Sequence, residues 1–210
     1  MSINKYIAKQ FANPSGIGGK IVSSVMNKQN RPLYEDTIRV LSPSDSDNVL
    51  DIGCGNGFVL NMLANRNTCT LTGIDFSPSA IKTAASYNRK FMKNGRVNLI
   101  CQDMGRLPIP DCSFDKAYSI NTVYFWNNFD NIMAEIRRVL KPNGHFINTL
   151  YTNETLDGFP HTEFGYKRFT PNELKTASQN AGFIVDIASV FDNKGYCVIC
   201  RREDYRRVKT

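Results

Sequence analysis

An aspartate followed by three alternating glycines is the stretch of this sequence whose residue types and spacing point most directly to chemistry. Residues 49–57 read VLDIGCGNG, in which Asp51 closes a short apolar run and Gly53, Gly55 and Gly57 follow. A glycine bend lets a ligand come close to the main chain, because no Cβ atom stands in the way. On electrostatic grounds the carboxylate beside that bend favours a ligand with a positive amine and sulfonium over a diphosphate.

The two familiar phosphate-binding glycine motifs are absent from the sequence. A P-loop reads G-x-x-x-x-G-K-[ST], and the one Gly-Lys pair, at residues 19–20, has Pro14 in place of the first glycine. The dinucleotide motif G-x-G-x-x-G, counted from Gly53, requires a third glycine where Phe58 stands. The glycine bend is therefore predicted to hold a cationic nucleoside rather than a phosphate chain.

Two more aspartates end the next two apolar runs of the chain. Asp75 follows TLTGI, and Asp103 follows VNLICQ. An acid at the end of the second strand can accept hydrogen bonds from two ribose hydroxyls, and one after the third strand can accept from an adenine amino group. Phe76 is placed to pack on a base face. One such aspartate is commonly a helix cap or turn residue, but three beside one glycine bend indicate a nucleoside site.

The elements that must position these residues alternate between strand-like and helix-like patterns from residue 46 onward. This alternation predicts a parallel sheet with helices on both faces, in which ligands bind at the carboxyl ends of the strands. Residues 1–45 are predicted to form an N-terminal helical cap and residues 46–210 the ligand-binding domain, within one structural domain overall. The predicted strands are NVLDIG, TLTGID, VNLICQD, FDKAYSIN, HFINTLY, IVDIASVFDN and GYCVICRR, and the predicted helices are FVLNMLAN, SPSAIKTAASYNRKFMKN, NIMAEIRRVLKPNG and TPNELKTASQNAGF.

Length and composition are typical of a soluble globular chain, with 210 residues, 41% hydrophobic and 21% charged. No apolar run is long enough to span a bilayer and MSINKYIAKQ lacks the apolar centre of a secretory signal, so we expect a cytoplasmic protein. The net charge of +7 is partly carried by the basic tail RREDYRRVK, so we expect a solvated tail and no nucleic-acid partner. Cys197 and Cys200 form the one C-x-x-C and are predicted to be strand residues, so no metal site is expected.

The order of motifs along the chain resembles one enzyme family. DIGCGNG resembles the D-x-G-x-G-x-G signature of class I S-adenosylmethionine-dependent methyltransferases. The stretch LPIPDCSFDKAYSINTVYFWNNFDNIMAEIRRVLKPNGHFI is similar to the matching region of the ubiquinone/menaquinone-biosynthesis-like (type 11) branch. The likeness extends over roughly residues 46–150 and, more loosely, through FTPNELKTASQNAGF.

The resemblance implies a Rossmann-like sheet of seven strands in the order 3-2-1-4-5-7-6, with the last strand antiparallel and helices on both faces. It implies S-adenosylmethionine as the cofactor, held by residues 46–210. The predicted cofactor residues are Asp51, Gly53, Cys54 (through its backbone) and Gly55 at the methionine end, Asp75 at the ribose, Phe76, Asp103 and the backbone of Met104 at the adenine, and Ser119 and Asn121 near the sulfonium. For Ser119 and Asn121, hydrogen bonding at the strand end is an equal alternative.

The function that the resemblance implies is transfer of a methyl group to a small-molecule acceptor by in-line displacement. The cofactor supplies the leaving group, so the protein mainly has to align the acceptor and exclude water. The type 11 branch often carries histidines after the fourth strand, where this chain has Tyr124, Phe125 and Trp126. His161 lies in the segment that should cross the acceptor site, and it is the candidate catalytic base.

Aromatic residues from segments near the ligand edge suggest an apolar, enclosed acceptor pocket. We expect residues 1–45 and 151–170 to roof this pocket, and an acceptor of apolar or aromatic character to fill it. The aromatic side chains could equally belong to the core. They are Phe125, Trp126, Tyr151, Phe159, Phe164, Tyr166 and Phe169.

Other classes of function stay open on the sequence alone. Methyltransferases that act on nucleic-acid bases usually carry an Asn/Asp-Pro-Pro-aromatic stretch after the fourth strand, and this chain reads SINTVYF there. Methylation of a protein has no specific support. A non-catalytic protein that binds S-adenosylmethionine, as a sensor or a subunit, would carry the same motifs. The sequence does not indicate the acceptor, the methylated atom or the oligomeric state.

Overall fold

A seven-stranded sheet forms the centre of the protein. The computed structural model describes residues 16–203, with side chains from residue 25 onward. The strands are β1 (Asn48–Ile52), β2 (Thr70–Asp75), β3 (Val97–Cys101), β4 (Phe114–Ile120), β5 (Leu140–Tyr151), β6 (Phe183–Val190) and β7 (Gly195–Arg202). Their order is β3-β2-β1-β4-β5-β7-β6, and β7 is antiparallel to both neighbours while the other pairs are parallel. The predicted strand order and the antiparallel last strand are confirmed.

The central strands are buried on both faces of the sheet. In β1, four consecutive residues from Val49 to Ile52 are buried, and in β2 so are the five from Leu71 to Asp75. Because successive side chains of a strand point to opposite faces, such a run requires cover on both sides. The continuous apolar runs of the sequence therefore form central strands, and the aspartates that end them lie at one common edge.

Seven helices and two short 3-10 turns surround the sheet in the described residues 16–203. The helices are α1 (Gly16–Leu41), α2 (Phe58–Arg66), α3 (Pro78–Tyr87), α4 (Arg89–Lys93), α5 (Phe129–Val139), α6 (Asn153–Asp157) and α7 (Pro171–Asn180), and the 3-10 turns are Val123–Phe125 and Pro160–Glu163. The predicted helices that follow β1 and precede β6 are confirmed as α2 and α7.

The long helix α1 packs against the second half of the sheet. Leu33, Ile38 and Leu41 of α1 are buried in the core, and the carboxylate of Asp36 accepts a hydrogen bond of 2.7 Å from the backbone N–H of Phe191. This helix lies within residues 1–45, for which the sequence predicts a helical cap. The first 15 residues of the predicted cap and the tail beyond residue 203 lie outside the described residues, and the division at residue 45 stays a prediction.

The helix predicted over SPSAIKTAASYNRKFMKN is wrong as one continuous element. It is broken at Asn88 into α3 and α4. The Asn88 side-chain amide donates to the carbonyl oxygens of Gly57 (2.9 Å) and Ala84 (3.0 Å). An asparagine amide competes with the helical backbone for such partners, so it favours a helix end. Sequence pattern did not reveal the break because one partner, Gly57, is distant in the chain.

The helix predicted to run up to Pro142 and Gly144 also ends earlier. Helix α5 stops at Val139, and Leu140 adopts extended dihedrals at the start of β5. Leu140 pairs with Phe114 at the start of β4. Pairing with β4 therefore begins at Leu140, three residues after Arg137. The residues KPNG lie within the long strand β5, where the register with β4 shifts.

A capping box fixes the start of α7 and allows a direct test of this element. The Thr170 hydroxyl accepts from the Glu173 backbone N–H (3.3 Å), and the Glu173 carboxylate accepts from the Thr170 backbone N–H (2.7 Å). We expect Thr170→Ala to lower the free energy of unfolding by about 1 kcal/mol in urea melts. Thr170→Ser, which keeps the hydroxyl, should stay close to wild type. An equal loss in both variants would contradict the assigned cap.

Candidate functional site

The glycine bend after β1 is shaped by positive φ angles that glycine adopts at no steric cost. Gly53, Gly55 and Gly57 have φ of 74°, 53° and 73°. A Cβ atom at Gly53 would lie 2.5 Å from Cγ2 of Thr122, whereas one at Gly55 would meet nothing within 4 Å. The main chain at Gly55 therefore faces open space, and this is the point where a ligand can reach the backbone.

The carboxylate of Asp75 ties the glycine bend to the end of β2. One oxygen accepts from the backbone N–H of Gly55 and the other from that of Ser77, both at 2.9 Å. Asp75 is buried, and burial raises the pKa of its carboxyl although these two hydrogen bonds act to lower it. The sequence therefore places this acid where it orders the bend and still carries free lone pairs.

Asp51, at the end of β1, is the most deeply buried acid of the site. It is 4% exposed, and the phenol of Tyr118 donates to it at 2.7 Å. Burial raises the pKa of Asp51 to about 7, the Tyr118 hydrogen bond opposes this shift, and the charge of Asp75 adds to it. Close to neutral pH this carboxyl is poised between its two protonation states, and a positive ligand would favour the ionised one.

These acids open onto a cavity of about 360 Å³ at the carboxyl ends of the strands. This volume is in the range of ligand pockets, ~300–1,000 Å³. Among the described lining residues the charged ones are three aspartates, without any lysine or arginine. The cavity is therefore suited to a cation. Nine of the ten predicted cofactor residues line it: Asp51, Gly53, Cys54, Gly55, Asp75, Phe76, Asp103, Met104 and Asn121.

The tenth, Ser119, does not line the cavity. Its side chain is fully buried and shares a hydrogen bond with the hydroxyl of Thr122, which also accepts from the Trp126 indole N–H at 3.1 Å. Strand-end hydrogen bonding, the equal alternative that the sequence leaves open for Ser119, therefore engages its hydroxyl. Asn121 follows β4 in a left-handed conformation, φ 57°, and lies at the cavity wall.

The remaining predicted residues lie at the rim of the cavity. Phe76 is 52% exposed and lines the cavity. Asp103 accepts a hydrogen bond from the backbone N–H of Gly105 at 2.7 Å, which fixes the turn after β3. The thiol of Cys54 is buried with its pKa raised well above the ordinary range by burial, so it stays a neutral side chain.

Several residues of the site escaped the sequence analysis. Tyr118 is the register partner of Asp51 between β4 and β1, a pairing that only the strand order reveals. Asn27, Asn30 and Tyr34 of α1 line the same cavity. Nothing in the local pattern of α1 distinguishes these polar residues from a solvated helix face, so no signal in the sequence marks them.

A second, smaller cavity of about 40 Å³ adjoins the first. The two share Met26, Asn30, Asn121 and Phe125 as lining residues. Its walls come from α1, from the turn after β4 and from the segment after β5. The full set is Met26, Gln29, Asn30, Asn121, Tyr124, Phe125, Tyr151, Leu156, Phe159, His161, Thr162 and Tyr166.

The predicted aromatic residues divide between cavity walls and other positions. Trp126 lines only the larger cavity, while Phe164 and Phe169 line neither. His161 lies in the smaller cavity beside the ring of Phe159, at a centroid distance of 5.9 Å. Burial lowers the pKa of His161 below its ordinary value of 6.5, so its imidazole is neutral at pH 7.

Two further features concern only the part of the chain that the structure describes. No helix between residues 16 and 203 is long and apolar enough to cross a membrane. Within the same residues, no group of three or more histidine, cysteine, aspartate or glutamate side chains is arranged to hold a metal ion.

Comparison with known proteins places the chain in a family. Residues 50–148 match the family model described as "Methyltransferase domain", type 11. The uncharacterized methyltransferase YdaC of Bacillus subtilis (strain 168) is 30% identical over 158 residues, which cover 75% of this chain and 84% of that protein. The sterol 4-C-methyltransferase strm-1 of Caenorhabditis elegans is 37% identical over 110 residues, 51% of this chain and 32% of that protein. The O-methyltransferase cnsE of Penicillium expansum is 29% identical over 73% of this chain and 58% of its own length.

Solved structures share the fold at lower identity. A chain of the complex between the Haloferax volcanii Trm112 methyltransferase activator and a methyltransferase superposes with a TM-score of 0.79 and 18% identity, covering 97% of this chain and 100% of that one. The [4+2]-cyclase SpnF superposes with a TM-score of 0.72 and 20% identity, covering 81% and 80%. The chain spans 32% and 58% of the length of strm-1 and cnsE.

The sheet, the aspartate-glycine bend and these matches together define the class of protein. The chain belongs to the class I S-adenosylmethionine-dependent methyltransferases. The family resemblance carried by DIGCGNG is thereby confirmed.

The raised pKa of Asp51 makes the stability of the ligand-free protein depend on pH. Between the ordinary value of 3.8 and the folded value of about 7, the folded protein keeps a proton that the unfolded chain has lost. Ionisation of this group therefore costs folding free energy as pH rises through that window. We expect Asp51→Asn to raise the free energy of unfolding, relative to wild type, by about 2–4 kcal/mol more near pH 7.5 than near pH 4.5.

Asp47 provides the matched control for these urea melts. Burial acts to raise the pKa of Asp47, but hydrogen bonds from Ser44 and the ammonium of Lys116 lower this pKa below 3.8. Its stabilising contribution is present above that value and is lost only at more acidic pH. Asp47→Asn should therefore destabilise the protein almost equally near pH 4.5 and near pH 7.5. A pH-independent effect of Asp51→Asn would contradict the raised pKa.

Proposed function

We propose that the larger cavity binds S-adenosylmethionine and that the chain transfers its methyl group to a small-molecule acceptor, apolar or aromatic, in the smaller cavity. The observation that carries the proposal is a ligand-sized cavity with three aspartates, no basic side chain among its described lining residues and an open main chain at Gly55. A nucleoside with a positive sulfonium and amine complements these groups in charge.

The residues present fit this cofactor group by group. Asp51 with the backbone of Gly53 to Gly55 would hold the methionine end. Asp75, with lone pairs left beyond its two backbone hydrogen bonds, would accept from the ribose hydroxyls. Asp103 and the backbone of Met104 would hold the adenine, with Phe76 against its face. Asn121 would lie near the sulfonium.

The chain's own contribution to the reaction is alignment and exclusion of water. When bound, S-adenosylmethionine supplies a methyl group on a sulfonium, which departs as a neutral thioether. The shared walls of the two cavities, Met26, Asn30, Asn121 and Phe125, lie between cofactor and acceptor and would fix the line of approach. Alignment of this kind lowers the barrier by about 7 kcal/mol or more when the geometry is favourable.

His161 is the proposed general base for an acceptor that loses a proton. Burial raises the pKa of the phenols of Tyr124, Tyr151 and Tyr166, so these groups stay protonated at neutral pH. Burial lowers the pKa of His161 below 6.5, so its imidazole carries no charge at pH 7. It is the one histidine in the smaller cavity's described lining.

Two alternative functions, methylation of a nucleic acid and non-catalytic sensing of the cofactor, make different demands on the edge of the sheet where the cavities lie. A nucleic-acid acceptor would bring phosphates to a rim whose charged cavity residues are acidic, and charge repulsion disfavours it. A sensor would bind the cofactor without turnover. Labelled methyl transfer into a metabolite extract, read by mass spectrometry, distinguishes the proposed enzyme from a sensor. The proposal predicts a labelled small molecule and S-adenosylhomocysteine, whereas binding without either product would favour the sensor.

The ribose contact can be tested on its own by titration calorimetry. We expect Asp75→Asn to weaken binding of S-adenosylmethionine by about 1–3 kcal/mol, because the ribose hydroxyls lose a charged acceptor. Asp186→Asn, on the exposed face of β6, should leave the affinity unchanged. Equal affinities in the two variants would place Asp75 outside the cofactor site.

The role of His161 can be tested with the acceptor found in the extract. We expect His161→Asn to lower kcat by ~10²–10⁴-fold without changing cofactor affinity, and the wild-type kcat to fall as pH drops below 6.5 and through the lowered pKa of His161. His145→Asn, in β5 and away from both cavities, is the control and should keep the wild-type rate. An unchanged pH profile in His161→Asn would assign the proton to another group.

A further inference from the structure

The cofactor proposed for the larger cavity carries a negative group as well as positive ones. The methionine end of S-adenosylmethionine has a carboxylate beside its amine, and the charged residues among the described lining of the cavity are all aspartates. We propose that two neutral side chains of α1, the hydroxyl of Tyr34 and the amide of Asn30, bind this carboxylate. The inference rests on the proposed function, and it makes these two residues determinants of cofactor specificity.

The first argument is that the N–H groups at the start of the glycine bend already have acceptors. The backbone N–H groups of Gly53 and Cys54 donate to the carbonyl oxygen of Ile74 at 2.8 and 2.9 Å. That of Gly55 donates to the carboxylate of Asp75 at 2.9 Å. Because burying an anion without hydrogen-bond donors is strongly unfavourable, the ligand carboxylate requires donors from another part of the cavity wall.

Two further donors of the wall are also occupied. The phenol of Tyr118 donates to Asp51 at 2.7 Å. The indole N–H of Trp126 donates to the hydroxyl of Thr122 at 3.1 Å. Strand β4 and the turn after it therefore hold the acid and each other, and helix α1 remains as a source of donors.

The Tyr34 hydroxyl has a proton to donate. Tyr34 lines the larger cavity and is 9% exposed. Its hydroxyl oxygen accepts from the amide of Asn30 at 3.3 Å, and in none of the hydrogen bonds between described residues does this hydroxyl donate. Burial raises the pKa of Tyr34 to about 12, so the phenol keeps its proton at neutral pH. A buried O–H group without an acceptor is costly, and a ligand anion would satisfy it.

The position of Tyr34 beside Asp51 matches the methionine end. The two are close enough that the charge of Asp51 contributes to the raised pKa of Tyr34, after burial. In an α-amino acid the amine and the carboxylate share one carbon, so the groups that bind them must be neighbours. A basic side chain at this point would pair with Asp51 itself, whereas a neutral donor leaves that acid to the amine.

Asn30 supplies the second donor, and its orientation is fixed from the other cavity. It is 6% exposed and lines both cavities. Its side-chain oxygen accepts from the phenol of Tyr151 at 2.6 Å, so its amide nitrogen faces Tyr34. An amide nitrogen carries two N–H groups, and the bond to Tyr34 uses one of them. The other can join the Tyr34 hydroxyl at the carboxylate.

The test compares S-adenosylmethionine with its decarboxylated form, which keeps the amine and the sulfonium and lacks the carboxylate. Titration calorimetry measures the binding of each compound to the full chain. We expect Tyr34→Phe to weaken S-adenosylmethionine about ten- to hundredfold, because a hydrogen bond to a charged group is lost. The same variant should bind the decarboxylated form as wild type does.

Two other tyrosines provide matched controls. Tyr118→Phe removes a phenol of the same cavity that contacts Asp51, so it should change the affinities for both compounds by the same factor. Tyr196 is buried, lines neither cavity among the described residues and donates to the carbonyl oxygen of Phe169 at 3.1 Å. Tyr196→Phe should leave both affinities unchanged.

Asn30→Asp tests the same subsite without altering Tyr34, and it decides the question if Tyr34→Phe does not fold. The variant keeps an oxygen for Tyr151 and sets an acid against the ligand carboxylate. We expect it to weaken S-adenosylmethionine by a larger factor than the decarboxylated form.

Three results would overturn the proposal. They are equal changes for the two compounds in Tyr34→Phe, equal changes in Asn30→Asp, and a loss in Tyr118→Phe that is confined to S-adenosylmethionine. Failure of the wild-type chain to bind S-adenosylmethionine would instead refute the proposed function.

Discussion

Two carboxylates buried close together at the ends of β1 and β2 are the constraint on which the site depends. Burial raises the pKa of both Asp51 and Asp75, and the charge of Asp75 adds to the shift at Asp51. The backbone N–H of Gly55 in the glycine bend donates a hydrogen bond to Asp75, and the phenol of Tyr118 in β4 donates one to Asp51. These donors stabilise the ionised forms only in part. In the function proposed here, a positive ligand supplies the remainder.

Helix α1 lines both cavities at this edge of the sheet. Its Asn30 lies in both cavities, accepts from the phenol of Tyr151 and donates to that of Tyr34 at 3.3 Å. Asn27 accepts from the side chain of Asn56 in the glycine bend, also at 3.3 Å. The same helix therefore contacts the segments proposed for cofactor and acceptor. Fold neighbours with other chemistries, such as the cyclase SpnF, show that the sheet alone does not determine the reaction.

The features predictable from the sequence are those that strand ends and local spacing determine. Asp51, Asp75 and Asp103 end apolar runs, and parallel strands bring such ends to one edge whatever the loops do. The partner of Asp51, Tyr118, depends on which strand lies beside β1, so it requires the topology. Asn30 depends on how a helix distant in sequence crosses the sheet. The break at Asn88 was missed for the same reason, since its partner Gly57 is distant in the chain.

The central claim, that a cationic ligand relieves the buried acids, predicts a coupling between binding and protonation. Titration calorimetry near pH 7 in buffers of different ionisation enthalpy measures the protons released per ligand bound. The account predicts release of a substantial fraction of one proton with S-adenosylmethionine, less with S-adenosylhomocysteine, whose sulfur carries no charge, and little with either in Asp51→Asn. Tight binding of S-adenosylmethionine with no proton release, or with the same release in Asp51→Asn, would contradict it.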